Sequence, residues 1–547
     1  MSAEHVLSVE DLAVRYRTRR GAVDAVRGVS LNVASGETVA LVGESGSGKS
    51  TTAHAVVRLL PPAAQIVAGR VIVGGADLVR AGERDLRRLR GRAVGLVPQD
   101  PTVSLNPVTR IGDQVAEVLR IHRFAAPADA HRLAVDALGA AGVPQPAVRA
   151  RQYPHELSGG MRQRVLIAIA TIAKPALLIA DEPTSALDVT VQRRILDQLD
   201  ALRAERGTSI LLITHDLGVA GDRADRIVVM RGGRVVEEGT PDAVLGAPSD
   251  PYTQELIAAA PSLGARGVYI DARRTAERPT GAAEPVLSVA GLVKDFALPG
   301  GRRQRAVDDV SFSLGRARTL AVVGESGSGK TTTARLALRL VDPTEGSVAL
   351  DGEDLTSASG ARLRELRRRV QLVQQNPYAA LNPRLSVEEL VADPLHALGI
   401  GSRAQRRRRV EELVDLVALP SGLLARRPAE LSGGQRQRVA IARALAPAPE
   451  VVVLDEPVSA LDVSVQHQIL TLLSDLQREL GLSYLFISHD LAVVRRIAHE
   501  VVVMRRGRIV ESGAIDDVFD RPGHAYTRAL LDAIPGRRAA APSAPTR

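Results

Sequence analysis

The sequence predicts an α/β fold built twice in tandem, and three observations carry that prediction. First, a glycine-rich decapeptide, VGESGSGKST at Val42–Thr51, returns as VGESGSGKTT at Val323–Thr332. Second, each copy follows a short apolar run of buried-strand type (ETVALVG, TLAVVG) and opens a helical pattern (KSTTAHAVVRLL, KTTTARLALRL). Third, the rest of the chain repeats in step. Lys49 and Lys330 are 281 residues apart, Gln99 in LVPQDP and Gln375 in LVQQNP are 276 apart, and Ser158, Glu182 and His215 precede Ser432, Glu456 and His489 by 274 each. An offset that shrinks early and then stays constant describes loop trimming around a fixed frame after a tandem duplication.

The halves are placed at 5–262 and 284–537, joined by a polar linker at 263–283 that glycine and proline interrupt, and followed by a low-complexity tail at 538–547. At 547 residues and 45% apolar composition the chain is long enough for two substantial cores. It has no cysteine, which excludes disulfides, cysteine-ligated zinc and iron–sulfur clusters and fits a reducing compartment. Apolar runs such as ILLIT and VVVL fall far short of the roughly 20 residues that span a bilayer, and MSAEHVLSVEDL lacks a signal-peptide pattern, so the chain is expected not to enter the membrane by itself. The net charge of +9 is carried almost wholly by arginine. Its densest run, RAQRRRR at Arg403–Arg409, reads as a solvated helix face, with contact to nucleic acid or anionic lipid as the other reading. Lysine is more informative. Of the four lysines, Lys49, Lys174, Lys294 and Lys330, two occupy the same place in the two decapeptides, where a compact ammonium is required.

Each decapeptide fits G-x-x-x-x-G-K-[ST], a loop whose backbone N–H groups curl round phosphates while its lysine reaches the β- and γ-phosphates and its hydroxyl holds Mg2+. The candidate phosphate contacts are Gly43, Glu44, Ser45, Gly46, Ser47, Gly48, Lys49, Ser50 and Thr51, and in the second half Gly324, Glu325, Ser326, Gly327, Ser328, Gly329, Lys330, Thr331 and Thr332. Two apolar runs, ALLIADEP and VVVLDEP, end in an acidic pair. There Asp181 and Asp455 are positioned to join Ser50 and Thr331 in holding Mg2+, and Glu182 and Glu456 to polarise an attacking water. LSGGMRQRV at Leu157–Val165 and LSGGQRQRV at Leu431–Val439 place a serine and two glycines (Ser158, Gly159, Gly160; Ser432, Gly433, Gly434) at the start of an apolar-periodic helix, presenting a hydroxyl, bare N–H groups and a helix dipole to an anion.

These last segments resemble the signature of ATP-binding cassette proteins, and the other cassette elements follow in order. By that resemblance Tyr16 and Phe296 match the aromatic that stacks on adenine. Gln99 and Gln375 match the glutamine loop, counted with both the catalytic and the magnesium-contacting residues. SALD at Ser185–Asp188 and Ser459–Asp462 matches the D-loop, and His215 and His489 match the switch histidine. The resemblance implies two tandem P-loop NTPase cassettes, each with a RecA-like α/β core, an antiparallel β subdomain and a helical signature subdomain. It implies ATP and Mg2+ as cofactors. It also implies an intrachain cassette dimer, in which the phosphate loop of one cassette and the signature of the other enclose each ATP. No motif residue is missing from either copy, so both sites are expected to be competent.

Within that family the chain is similar to the ATPase subunits of bacterial oligopeptide, dipeptide, nickel and glutathione importers. SLNP at Ser104–Pro107, ALNP at Ala380–Pro383, DEPVSALDVSVQ, and DPYTQELIAAAP and HAYTRALLDAIP after the two cores carry this likeness. The cysteine cluster of some relatives is absent. The likeness implies two integral-membrane permease subunits as partners and, through them, an extracytoplasmic substrate-binding protein. It implies no nucleic-acid partner and a location on the cytoplasmic face of the bacterial membrane. The other function class is a soluble tandem-cassette ATPase acting on ribosomes or nucleic acid. The short linker broken by Gly and Pro and the missing zinc-binding cysteines speak against it.

Overall fold

The computed structural model describes residues 5–18, 21–185, 187–260, 285–297, 303–459 and 461–536. The linker at 263–283, the tail at 538–547, and Ala186 and Ala460 of the two SALD segments lie outside the described residues. The chain divides into two compact units, one built mainly from residues up to 264 and the other from residues 265 to 534.

In the first unit a four-stranded antiparallel sheet, ordered β2-β1-β4-β5, is formed by β1 (His5–Thr18), β2 (Gly21–Ala34), β4 (Ala64–Val73) and β5 (Ala76–Asp77). A six-stranded sheet, ordered β10-β9-β3-β8-β7-β6, carries the site. Its strands are β3 (Thr38–Val42), β6 (Val94–Val97), β7 (Leu177–Asp181), β8 (Ser209–Ile213), β9 (Arg226–Arg231) and β10 (Arg234–Gly239). All neighbours are parallel except β9 and β10. Every residue of β3, β7 and β8 is buried. That is why these strands read as unbroken apolar runs and not as alternating ones, since a parallel sheet is covered on both faces. The loops that leave the carboxyl ends of parallel strands form the crevice where such sheets bind ligands. Here those loops start at Gly43 after β3, Glu182 after β7 and Thr214 after β8.

One apolar layer joins the antiparallel sheet to the core through Leu7, Leu12, Val39 and Leu41. A second joins the opposite face of the core to the helices Ile111–Ile121, Pro127–Ala140 and Gly159–Thr171, through Ile111, Val115, Leu138, Ile167 and Leu178. Three kinds of substructure therefore surround the loops: an α/β core, an antiparallel sheet and a helical region.

The second unit repeats the plan. Its antiparallel sheet has the order β12-β11-β14-β15, from β11 (Leu287–Ala297), β12 (Arg303–Leu314), β14 (Glu345–Leu350) and β15 (Glu353–Asp354). Its core sheet has the order β16-β17-β18-β13-β19-β20, from β13 (Thr319–Val323), β16 (Val370–Val373), β17 (Val451–Asp455), β18 (Ser483–Ile487), β19 (Glu500–Arg505) and β20 (Arg508–Ala514). Its arginine run lies on the helix Arg403–Leu416, where Arg407 and Arg409 pair with Glu411 and Glu412 one turn on, as a solvated helix face does. Among the described residues no helix is long and apolar enough to cross a membrane.

Candidate nucleotide site

The glycine-rich loop leaves β3 at Gly43 in a conformation that admits no side chain. Its φ is +144°, and a Cβ there would sit 2.2 Å from the Met230 carbonyl oxygen at the end of β9. Gly324 meets the Met504 carbonyl in the same way, also at 2.2 Å. The helices that follow, Lys49–Val56 and Lys330–Ala337, begin after Gly48 and Gly329, and neither start has a side-chain cap. Uncapped N–H groups at a helix start, preceded by a glycine loop, form a cradle for phosphate.

Lys49 Nζ donates to the carbonyl oxygens of Gly43 (2.7 Å) and Glu44 (2.8 Å), and Lys330 Nζ to those of Gly324 (2.8 Å) and Glu325 (2.9 Å). Both ammonium groups are buried, and burial holds Lys330 below its ordinary pKa against the pull of Glu456, Asp455 and Glu325. A desolvated ammonium resting on neutral carbonyls gains by meeting a polyanion. Ser45 and Gly46 form the exposed tip of the first loop, with Ser326 and Gly327 at the tip of the second, whereas Ser47 and Ser328 are buried. Ser328 Oγ has no partner among the described residues. Thr332 is half-buried just inside the second helix.

Ser50 Oγ donates to Asp181 Oδ1 at 3.0 Å, and Thr331 Oγ1 to Asp455 Oδ1 at 3.2 Å. Burial raises both aspartates above the usual carboxylate range, more than their hydroxyl partners lower them. No group of three or more His, Cys, Asp or Glu able to hold a metal is found among the described residues. A single buried carboxylate with one hydroxyl beside a phosphate cradle suits Mg2+, which takes oxygen ligands and completes its shell with substrate phosphates and water. The donor set therefore fits the ion expected from the sequence.

Glu182, next after Asp181, has φ +46°, and Glu456 has φ +49°. A left-handed backbone at a glutamate costs on the order of 1–2 kcal/mol and persists where the surroundings over-determine it. Here the next strand does so, since Glu182 N–H donates to Ile213 O and Glu456 N–H to Ile487 O, each at 2.9 Å. The turn aims the carboxylate at two residues just beyond the ends of the neighbouring strands β6 and β8. Gln99 Nε2 donates to Glu182 Oε2 at 2.8 Å, and His215 Nδ1 lies 3.2 Å from Oε1. In the second unit Gln375 donates to Glu456 at 2.8 Å and His489 lies at 3.1 Å. Burial alone would push these glutamates up, yet the hydrogen bond and charge of the histidine, with the lysine and glutamine, bring them below their ordinary value. Burial would push the histidines down, and the same contact leaves them above theirs. Each pair is a charged, hydrogen-bonded unit holding its carboxylate ionised.

Tyr16 Oη lies 3.4 Å from Thr51 Oγ1, which ties the expected adenine platform to the first turn of the phosphate-loop helix. Phe296 has no hydroxyl, is 40% exposed and carries the Lys294 ammonium 5.4 Å from its ring centre. Ser158 and Ser432 cap the helices Gly159–Thr171 and Gly433–Leu445 through the N–H groups of Met161 and Gln435. The two glycines after each serine begin the helix, and a Cβ at Gly160 or Gly434 would press on Val191 or Val465. Among the described residues neither serine bonds to the phosphate loop of its own unit. Loop, acidic pair, glutamine and histidine thus converge within each unit, and the signature does not join them there. The sequence reading missed one participant. Glu44 and Glu325, counted among the phosphate contacts, donate their backbone N–H groups at 3.0 Å to the hydroxyls of Tyr252 and Tyr526.

The chain is similar to known proteins along nearly its whole length. The family profile described as ABC transporter matches residues 26–185 and 307–459. The profile described as oligopeptide/dipeptide transporter, C-terminal region, matches 236–284 and 510–546. The glutathione import ATP-binding protein GsiA of Salmonella paratyphi A is 44% identical over 562 residues, covering 98% of this chain and 90% of the relative. The oligopeptide transport ATP-binding protein OppD of Mycobacterium tuberculosis is 45% identical over 603 residues, covering 97% of this chain and 98% of the relative. Among solved structures, a dimeric ATP-binding cassette bound to ADP and phosphate aligns at 30% identity with a TM-score of 0.39, over 42% of this chain and 98% of that one.

Proposed function

The chain belongs to the ATP-binding cassette (ABC) transporter family, and from that premise we propose that it is the fused, two-cassette ATPase that energises an importer of peptides or related small solutes. It binds and hydrolyses ATP as its family does. The observation that carries the catalytic reading is the twice-built carboxylate, Glu182 or Glu456, held between a glutamine and a histidine next to a phosphate cradle.

In this reading the loop N–H groups and Lys49 or Lys330 bind the β- and γ-phosphates, and the triphosphate draws the ammonium off the loop carbonyls. Ser50 with Asp181, and Thr331 with Asp455, would hold Mg2+, with Gln99 and Gln375 as further contacts. The chemistry such an ion would supply there is neutralisation of charge on the phosphoryl group. Glu182 and Glu456, kept ionised, accept a proton from the attacking water or orient it. His215 and His489 hold the carboxylate in place, and the glutamines fix its other oxygen. Tyr16 and Phe296 stack on adenine. Ser158–Gly160 and Ser432–Gly434 supply N–H groups and a hydroxyl to a γ-phosphate.

The oligopeptide/dipeptide C-terminal region in both halves supports a peptide-type cargo, with dipeptides or oligopeptides first and glutathione or nickel next. The partners proposed are two membrane permeases and, through them, an extracytoplasmic binding protein, with the chain held at the cytoplasmic face of the membrane by the permeases.

Co-expression with the permease and binding-protein genes beside its own, followed by reconstitution in vesicles, tests this. ATP-dependent uptake of one of dipeptide, oligopeptide, glutathione or Ni2+, lost in the Glu182→Gln/Glu456→Gln variant, is expected. Co-sedimentation with ribosomes in place of permease would contradict it.

A further inference from the structure

The segments DPYTQELIAAAP and HAYTRALLDAIP lie in the region that distinguishes peptide-type relatives, and nothing so far gives them work. In each, the tyrosine is the second residue of a helix, Pro251–Ala259 or Ala525–Asp532. Both tyrosines are buried. Their hydroxyls reach the same backbone atom 208 and 201 residues earlier in the chain, the N–H of the glutamate that follows the first glycine of the phosphate loop. We propose that Tyr252 and Tyr526 are positioning residues for nucleotide binding, through which the C-terminal segment of each cassette fixes the phosphate loop in its receptive shape. This rests on the reading that the Lys49 and Lys330 loops receive the phosphates.

Three features make the contact a brace. Each ring is clamped from above, with the guanidinium of Arg231 4.6 Å from the centre of the Tyr252 ring and that of Arg505 4.8 Å from the centre of Tyr526. Each arginine directly follows the methionine whose carbonyl closes on Gly43 or Gly324, so one strand end holds both the loop and its brace.

The start of each helix is tied to the same hairpin. Glu237 accepts from Ser249 N–H (2.7 Å), Ser249 Oγ (2.8 Å) and Asp250 N–H (3.3 Å), and Glu511 accepts from the N–H groups of Gly523 (2.7 Å) and His524 (3.1 Å). The residue capping the tyrosine N–H differs, Asp250 in one half and His524 in the other, while the hydroxyl contact is the same. Burial pushes the Tyr526 hydroxyl up to about 12, so it stays neutral through the physiological range.

The lysine explains why a brace is needed. Lys49 ties the carbonyl of Glu44 while Tyr252 ties its N–H, and Lys330 and Tyr526 do the same for Glu325. When the ammonium turns to a triphosphate it lets go of that carbonyl. The tyrosine hydroxyl touches no phosphate, so its tie persists, and it keeps the loop from opening as the lysine changes partner. The hydroxyl also occupies the Glu44 and Glu325 N–H groups, leaving the cradle to the remaining loop amides.

Tyr→Phe removes the hydroxyl and keeps the ring under its arginine. In the full chain, Tyr252→Phe, Tyr526→Phe and the double variant are compared on the Glu182→Gln/Glu456→Gln background by fluorescence titration with TNP-ATP and TNP-adenosine, and on the wild-type background by steady-state ATPase kinetics. Loss of one hydrogen bond to the loop is expected to weaken TNP-ATP by about three- to tenfold at the altered cassette and raise the KM for ATP to match. TNP-adenosine affinity and kcat at saturating ATP stay within about twofold of the parent. Either single variant leaves the other cassette as an internal control for folding. Unchanged TNP-ATP affinity, or an equal loss for TNP-adenosine, overturns the proposal. If Lys49→Ala, measured alongside, leaves TNP-ATP affinity intact, the phosphate-loop reading itself fails and the proposal with it.

Discussion

The two cassettes have kept the same contacts where a triphosphate would lie and have diverged around them. The glutamine-to-glutamate bond is 2.8 Å in both, the histidine contact 3.2 and 3.1 Å, and the hydroxyl-to-aspartate bond 3.0 and 3.2 Å. At the position expected to stack on adenine, a hydrogen-bonded tyrosine in the first cassette corresponds to a half-exposed phenylalanine beside a lysine in the second. Near the buried aspartate, His54 in the first is replaced by Arg335 in the second. Within the core sheet, Ile210 and Leu212 of β8 correspond to Tyr484 and Phe486 of β18. Divergence at the expected base platform and in the core, with only the hydroxyl-conserving exchange of Ser50 for Thr331 among the expected phosphate and water contacts, is the pattern of two sites kept for the same reaction. It differs from that of a working site beside a relic.

The largest effect is expected from removing both carboxylates. Glu182→Gln with Glu456→Gln keeps the side-chain shape and the cradle but loses the base, so hydrolysis should fall by about 100-fold or more while nucleotide still binds. A phosphate-release assay beside equilibrium binding checks this, and turnover near wild type would break the assignment.

Lys49→Ala and Lys330→Ala should each remove one of two nucleotides bound per chain. Titration calorimetry reads the stoichiometry, and a lysine whose loss changes nothing would mark its cassette as a relic.

The cores predict an asymmetry in stability. Phe486→Ala empties more buried volume than Leu212→Ala, and about 3–5 against 2–5 kcal/mol of destabilisation is expected by denaturant unfolding. Equal losses would show that the second core collapses around the gap.

The histidine pairs give a smaller, pH-dependent effect. His215 and His489 have raised pKa values, so what they add to stability is complete below their ordinary value of 6.5 and fades as pH rises through the raised one. Glu182 and Glu456 have lowered values, so their share is complete above their ordinary 4.5 and fades only as pH falls through the lowered one. Replacing either histidine with Ala should therefore lower the melting temperature most between pH 4.5 and 6.5 and least at high pH. A penalty that grows with pH would refute the charged pair.

Smallest is the exchange of base platforms. Tyr16→Phe and Phe296→Tyr keep the stacking face, and each should change ATP affinity at its own cassette by less than about threefold. A larger shift would show that the hydroxyl or Lys294 reads the base.

Much of this arrangement was legible in the sequence because its determinants are local. The strand–glycine loop–helix succession, the apolar run ending in Asp181–Glu182, and the serine before a helix start each lie within about a dozen residues, where period and spacing speak directly. Repetition within the chain then separated signal from chance. The left-handed turn at Glu182 was not legible, because no residue preference marks it and the neighbouring strand imposes it. Nor was the brace. The repeated tyrosines at 252 and 526 were visible, but their contact is made by tertiary folding across more than two hundred residues. The Lys294 ammonium beside Phe296 was hidden for a related reason, since strand alternation alone does not say which side chain bends toward which ring.

Whether one chain carries two catalytically complete cassettes is decided by steady-state turnover of the two single variants, Glu182→Gln and Glu456→Gln, measured side by side with wild type. Both should fall, and to the same level within about twofold, because the carboxylates are held alike. A single variant that keeps wild-type turnover while the other loses it would leave one cassette as a binding site alone.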